Sequence, residues 1–495
     1  MRKIMSFVII ALFINSLGTA VAAPPSPPPA PPLTLPEAKA LATRSSPTLI
    51  AARERLHQVN LLVDKAWTMV KPQWTATGTY THYNTGMDLI FPDVSSIGTS
   101  QDVCGPAWNP DIGFCFTRYQ TQTLQKQDSF NFYSQISQPL FLARAISSIK
   151  SAYKSYDIAS LSTENTTDYL LYSLEVAYYG ALTAKKFVAI AKNAVDVRAE
   201  HLRVARAKFE VGDTPKITAL AAEIALNQAE QDLKSAQNSL ELSKESIQLL
   251  IGQRREFSLV APKPPGRPDV NMRQYIAQAI GKRRDLTAAR LNLDLAEEAK
   301  ADAWYRFLPS LVATGSLRVA DVKGFTNEYI TWNVGLALSI PLYDGGLRYA
   351  YLDEAKSKIR EAQAEIEQTR QSIDSEIRQL WLRLEMAEAN LHKAHRAVEL
   401  AKEQVELANA SFNAGVSTHL EVLEANSSLF ITEMTEAQQE LNLQLAVLRL
   451  RKANSMFNPA GSFSIGASPA TAPAAGSTTS SSASAAAGSY SSTGF

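Results

Sequence analysis

Tyr329-Ile330-Thr331-Trp332-Asn333-Val334-Gly335-Leu336-Ala337-Leu338-Ser339-Ile340-Pro341-Leu342 alternates strictly. Ile330, Trp332, Val334, Leu336, Leu338 and Ile340 fall on one side, and Thr331, Asn333, Gly335, Ala337 and Ser339 on the other. A period of two is that of a β-strand, here with one apolar face and one small or polar face. The segment upstream alternates likewise, with Leu311, Ala313, Leu317 and Val319 opposite Ser310, Thr314, Ser316 and Arg318. Strands of about ten residues with this rhythm are the signal of a transmembrane β-barrel. A soluble antiparallel sheet with one buried face has the same pattern.

The sequence that follows shifts the balance toward the barrel. From Asp344 to Phe412 there is no proline, and Ile359, Ile366, Ile373 and Leu380 recur every seven residues beside Ile377, Leu384, Leu391, Val398, Val405 and Phe412. These rows are the a and d positions of a coiled coil. A helix of roughly 70 residues is about 105 Å long, a rod that a compact globular domain does not need. Leu226, Leu233, Leu240 and Ile247 repeat the spacing earlier in the chain.

The pattern occurs twice. Lys71-Pro72-Gln73-Trp74-Thr75-Ala76-Thr77-Gly78 matches Leu308-Pro309-Ser310-Leu311-Val312-Ala313-Thr314-Gly315 at an offset of 237, and the same offset aligns Ala51-Ala52-Arg53 with Ala288-Ala289-Arg290. Further on, Ser137-Gln138-Pro139-Leu140-Phe141 matches Ser339-Ile340-Pro341-Leu342-Tyr343 at an offset of 202, and Phe209-Glu210-Val211-Gly212 matches Phe412-Asn413-Ala414-Gly415 at 203. The first half therefore carries 35 extra residues between Gly78 and Ser137, and they include Cys104 and Cys115. Each half reads as helix, strand, strand, long helix, turn, helix. In the first half the strands are Trp74, Ala76, Gly78 and Tyr80 against Thr75, Thr77, Thr79 and Thr81, then Phe130, Phe132 and Ile136 against Asn131, Tyr133 and Gln135. Gly212 and Gly415 stand where the chain must reverse, at the tips of two helical hairpins. Four strands cannot close a membrane barrel, and exposed edges are not tolerated in lipid, so the chain is expected to oligomerise as a homotrimer with twelve strands.

Arg2 and Lys3 precede an apolar run from Ile4 to Leu17, and Ala20-Val21-Ala22 offers a cleavage site, so residues 1–22 read as a signal peptide. Residues 23–33 form a Pro-rich spacer, 34–253 the first repeat, 254–270 a linker, 271–457 the second repeat and 458–495 a disordered low-complexity tail. No later stretch is long and apolar enough for a membrane helix, so strands must carry any membrane insertion. In an exported protein Cys104 and Cys115 read as a disulfide; a metal site is the weaker alternative because no nearby histidine completes it. The 49 basic and 48 acidic residues cancel to +1, which argues against nucleic acid as a partner.

From Leu33 to Ala453 the chain resembles the TolC-like outer-membrane efflux proteins. The resemblance rests on Leu33-Thr34-Leu35-Pro36-Glu37-Ala38 with Pro47, on Ile340-Pro341-Leu342-Tyr343-Asp344-Gly345-Gly346, and on Phe412-Asn413-Ala414-Gly415-Val416-Ser417-Thr418-His419-Leu420-Glu421-Val422-Leu423-Glu424. It implies an internally duplicated α+β membrane protein in the cell outer membrane, extending into the periplasm. Four strands per chain would join a trimeric 12-stranded β-barrel, and long antiparallel coiled-coil helices would form a periplasmic α-barrel narrowing at the hairpin tips. It also implies an exit duct of a tripartite efflux or type I secretion system, working with a periplasmic adaptor protein, an inner-membrane RND or ABC transporter and outer-membrane lipid. By motif position, Glu421 and Glu424 would form acidic gate rings. Val211, Gly212 and Asp213 at one tip, with Ala414, Gly415 and Val416 at the other, would dock the adaptor. Two positions depart from the family pattern, since Phe412 and Ser417 stand where locking members can use tyrosine and arginine; in the first half Thr218 matches Glu421.

No phosphate loop, His-Glu-x-x-His or Gly-x-Ser-x-Gly motif occurs, so neither a cofactor nor an enzymatic role is expected. His392 and His395, three apart on the long helix, could share a metal but lack a third ligand, and the other histidines read as isolated. The alternative function is an exported coiled-coil spacer between envelope layers, which would have no use for amphipathic strands.

Overall fold

The computed structural model describes residues 31–99, 101–107, 111–212, 214–323, 328–455 and 457. The expected signal peptide, residues 23–30 of the spacer, Asp213 and the expected tail over 458–495 lie outside the described residues. Pro32–Leu33, the end of the spacer, pairs in parallel with Ser258–Leu259. Thr34 starts α1 (Leu35–Ser45), its amide donating to Glu37 Oε2 at 3.0 Å in a capping box. The single helix with which the first half is read to begin is interrupted, because Pro47 has no amide to donate and forces Ser46 into an extended conformation. The chain therefore breaks there and restarts as α2 (Pro47–Trp67).

β1 (Gln73–His82) and β2 (Asp128–Leu142) follow, then α3 (Ala143–Glu210) and α4 (Lys216–Ile251). The second half repeats the order with α5 (Met272–Lys282), α6 (Arg284–Tyr305), β3 (Ser310–Ala320), β4 (Ile330–Ser339), α7 (Leu347–Asn413) and α8 (His419–Ala453). With 68 and 67 residues, α3 and α7 are each about 100 Å long. α2 and α6 pack along the strand-proximal part of α3, whereas α4 and α8 pack on the part that leads to the tips.

The four strands form one antiparallel sheet in the order β4-β3-β2-β1. Its register sorts side chains by polarity across all four strands. One row runs Val334, Gly315, Ile136, Trp74 and another Ile330, Val319, Phe132, Gly78. The opposite face carries Asn333, Ser316, Gln135, Thr75 and Thr331, Arg318, Tyr133, Thr77. Among the described residues nothing covers the apolar face, where Trp332, Val334 and Leu336 are 75%, 77% and 70% exposed. A soluble sheet would bury one of its faces, and this one buries neither.

Each half has its own core, and the offsets seen in the sequence reappear in them. Leu170, Leu174, Tyr178, Ala181 and Ile247 of the first core stand 203 positions before Ile373, Ile377, Trp381, Leu384 and Leu450 of the second. Ala42 and Leu49 stand 237 before Ala279 and Leu286. A tyrosine hydroxyl closes each core: Tyr178 donates toward the carbonyls of Leu33 and Val260 at 2.8 and 2.6 Å, and Tyr275 to that of Leu450 at 2.6 Å. Residues 254–270, expected as a linker, put Phe257 and Leu259 into the first core. Their backbone pairs with the end of the spacer there, because buried amides and carbonyls need partners.

The 35-residue insertion, which is rich in Gly, Pro, Asn and Asp, forms two short strand pairs of its own. Met87–Pro92 pairs with Tyr119–Gln125 and Ile97–Gly98 with Cys115–Phe116. Cys104 and Cys115 are joined by a disulfide with Cα atoms 5.9 Å apart, so the metal alternative falls. Among the described residues, no helix is long and apolar enough to cross a membrane.

Gly252 ends α4 at φ +75°, against the α1–α2 break. A Cβ there would lie 2.5 Å from Ser45 O and 2.9 Å from Pro47 Cδ. Gly252→Ala is therefore expected to lower the urea-unfolding free energy by more than the ~1 kcal/mol of a left-handed backbone alone. Gly281→Ala, in α5 with no atom near its Cβ, should be neutral or stabilising by up to ~1 kcal/mol.

Candidate functional site: the hairpin tips

Both hairpins turn on a left-handed glycine. α3 ends through Val211 and Gly212 at φ +80°, and α7 through Ala414 and Gly415 at φ +75°. Gly212 N donates to Phe209 O at 3.0 Å, and Val416 N reaches back to Ser411 O at 2.9 Å, satisfying carbonyls that the helix ends leave open. Val211 and Val416 project into solvent, 79% and 83% exposed. Asp213 lies outside the described residues.

Thr418 caps α8 by accepting from Glu421 N at 3.4 Å, while its hydroxyl donates to Glu421 Oε1 at 3.2 Å. Glu421 thus has a local structural role at a helix N-terminus, where negative charge is favoured. It is exposed, as is Glu424 one turn on. Thr218, the first-half match of Glu421, is half-buried, so the acidic pair is confined to one of the two tips.

Packing within a hairpin differs from packing between hairpins. Inside the first, Leu202, Ala205 and Ala222 are buried together with Leu226 against them. Ala222, Ala229 and Ala236 in α4 and Ala387, Ala394 and Ala401 in α7 are buried at heptad spacing. Leu226, Leu233 and Leu240, expected as the seam, are only half-buried beside them. Alanine carries little apolar signal in a sequence pattern, yet small side chains let helix axes approach most closely.

Between hairpins, the apolar cluster that α3 and α8 share among the described residues lies near Leu171, Tyr179 and Leu448. Toward the tips the contacts become polar and aromatic. Lys186 pairs with Glu440, the Arg198 guanidinium lies 5.8 Å from the Phe430 ring, and Lys208 Nζ lies 4.4 Å above the Phe412 ring of α7. Phe412, which stands where a locking tyrosine could have been, thus holds a cation instead. Such contacts each contribute on the order of 1 kcal/mol or less when exposed.

Nor are all the remaining histidines isolated. His201 of α3 and His419, the first residue of α8, meet with ring centroids 5.8 Å apart, and the Phe412 ring lies 5.6 Å from His419. Burial pushes the pKa of both below the ordinary histidine value, and for His419 the neighbouring His201 and Lys208 push the same way. Their 218-residue separation gave no local sequence signal. His395 is bonded to Glu436, and His392 is exposed.

Comparison with known proteins places this geometry among relatives. The sequence profile described as outer membrane efflux protein matches residues 40–253 and 275–454. The outer membrane protein TolC of Vibrio cholerae is 25% identical over 380 residues, covering 74% of this chain and 85% of that protein. The alkaline protease secretion protein AprF of Pseudomonas aeruginosa is 23% identical over 360 residues, covering 70% and 74%. The CmeC outer membrane channel of Campylobacter jejuni superposes with a TM-score of 0.66 at 16% identity, covering 85% of each chain. The open state of the MtrE outer membrane channel of Neisseria gonorrhoeae gives 0.64 at 19% identity, covering 85% of this chain and 88% of that one. At these identities the superpositions show a shared fold.

The two kinds of seam make different predictions. Ala222→Leu, which overfills the 1%-exposed position inside a hairpin, should cost ~1–3 kcal/mol of unfolding free energy. Lys186→Ala, which removes the exposed ion pair between hairpins, should cost no more than ~1 kcal/mol. Urea titrations followed by far-UV circular dichroism would check both.

Proposed function

The chain belongs to the outer membrane efflux protein family, and from that premise and the two-faced sheet we infer how it works. It is an outer-membrane exit duct for efflux or secretion, extending into the periplasm and working with a periplasmic adaptor and an inner-membrane transporter. The family is made up of channel proteins, and we assign this chain no catalytic step.

The observation that carries the reading is the register-sorted sheet with neither face covered. An apolar face suits lipid and a Thr/Ser/Asn/Gln face suits a water-filled lumen. The sheet ends in β1 and β4, each with one unpaired edge, and unpaired edges in hydrocarbon cost several kcal/mol per group. Closure by two further copies supports a homotrimer with a twelve-stranded barrel, since closed barrels start near eight strands. The long hairpins then gather into a periplasmic tube whose tips converge. Glu421 and Glu424, exposed at the second tip only, are proposed as acidic rings at that mouth. The exposed Val211 and Val416, with Gly212, Asp213, Ala414 and Gly415, are proposed as the adaptor-docking surface. An RND or ABC transporter would supply the energy. We divide the mature chain into repeats over 34–253 and 271–457, after a signal peptide over 1–22 and before the tail over 458–495.

The weak polar contacts between hairpins near the tips, beyond the apolar cluster at Leu171 and Leu448, support a gate that opens by parting the hairpins. Purified protein in planar bilayers is expected to pass ion current, and multivalent cations added on the periplasmic side should block it. Glu421→Gln with Glu424→Gln should weaken that block at least several-fold; unchanged block would remove the two carboxylates from the mechanism. Absence of current in every state, including a tip forced apart, would favour a spacer that conducts nothing.

A further inference from the structure

We propose that His201 and His419 form a proton-sensitive lock between the two hairpins, so that mild acidification of the solution around the tips releases the constriction. The inference rests on reading the tips as the mouth of the duct. Its basis is the placement of two imidazoles, one from each half, at the only part of the α3–α8 seam where the described contacts are polar and aromatic.

The cluster can be followed element by element. α3 supplies His201, together with Lys208 and with Glu200, whose carboxylate is engaged by Arg203 at 2.6 and 2.9 Å. α7 supplies Phe412, whose ring meets both His419 and the Lys208 ammonium. α8 supplies His419 and Asn426, whose Nδ2 lies 3.4 Å from His201 Nε2, with Glu421 and Glu424 exposed on the same helix. His419 Nε2 is buried and makes no hydrogen bond among the described residues.

In the neutral form the two rings stack edge to face, and the amide of Asn426 can donate to His201. Once both are imidazolium, two like charges stand about 6 Å apart beside a lysine, and a buried N–H at His419 lacks an acceptor. Glu200, the carboxylate that acts on His201 in the opposite sense, is held by Arg203 and offsets little of this. Parting the hairpins relieves both costs by letting water reach the rings. The apolar cluster at Leu171 and Leu448 keeps the helices joined above the parted tips.

The direction with pH follows from burial. Both imidazoles are held below their ordinary value in the packed tip, so protons bind the parted state more readily. The lock is intact above about pH 6.5, the ordinary histidine value, and weakens as pH falls through that value toward the lowered one.

The test is single-channel recording of the full-length protein at about pH 7.5 and about pH 5.5, values that bracket the ordinary imidazole titration. Wild type should show a several-fold higher open probability at the acidic value. His201→Gln with His419→Gln, which removes the titration but keeps polar side chains, should show no such rise while retaining the far-UV spectrum and oligomeric state of wild type. His395→Gln, whose ring bonds Glu436 instead of a second imidazole, should respond like wild type. A response that persists in the double variant, or is absent from wild type, overturns the lock. Ala425→Arg, which places a charge at a fully buried position near the second tip, separates the two readings. Current through this variant with no pH response in wild type sinks the lock and leaves the duct standing. No current even there sinks the duct itself.

Discussion

The structure depends on one constraint, that of a four-stranded sheet whose two outer strands keep unpaired backbone groups and whose apolar face meets nothing among the described residues. In water such an edge invites aggregation, and in hydrocarbon each unpaired amide or carbonyl is costly. The closure proposed above, with identical copies, would resolve this by pairing β1 of one chain with β4 of the next. Duplication serves this requirement. Each half contributes one pair of strands, and a long helix leaves each pair in the same direction, so a hairpin hangs from every strand pair. The barrel and the helical tube are consequences of the same repeat.

Within that frame, stability is distributed unevenly. The two cores close on matched residues, Leu174 with Ile377, Tyr178 with Trp381, Ile247 with Leu450, and each is sealed by a tyrosine hydroxyl on buried carbonyls. Buried alanines at heptad spacing bring the helices of each hairpin close together. Between the hairpins an apolar cluster lies around Leu171 and Leu448, and nearer the tips stand an ion pair, cations over rings and two imidazoles. A duct that must stay assembled and yet open at one end calls for this gradient. At the second tip, Phe412 accepts the Lys208 ammonium on its face, an interaction that needs no hydroxyl.

Alternation in Tyr329–Leu342 and Ser310–Val319, the heptads of the long helix and the shared offsets made the strands, the long helices and the duplication legible, because periods of two and of three and a half are local properties of a chain. Other features were harder to see. The break at Ser46 follows from Pro47 alone, but the continuous apolar pattern around it masked the interruption. The proline content of the spacer reads as extension, whereas its end supplies Leu33 to a buried parallel pair with Ser258–Leu259. The insertion's composition signalled loop, and its cross-strand pairing overrode that signal. The alanine seams leave little trace in a pattern of large apolar side chains.

By itself the sequence determined what each segment is, and it did so through spacing: which residues alternate, which recur at seven and which repeat at 237 and 203. It also marked the tips through Gly212 and Gly415 and singled out the acidic pair that only one of them carries. Only the tertiary structure decided which segments meet. That both sheet faces stay uncovered by the described residues, that Lys208 finds Phe412, and that His201 finds His419 across 218 residues are facts about helix lengths and registers adding up over about 100 Å. A period can be read from a few neighbouring residues, whereas a contact between distant residues depends on every residue of the helices that carry them to it.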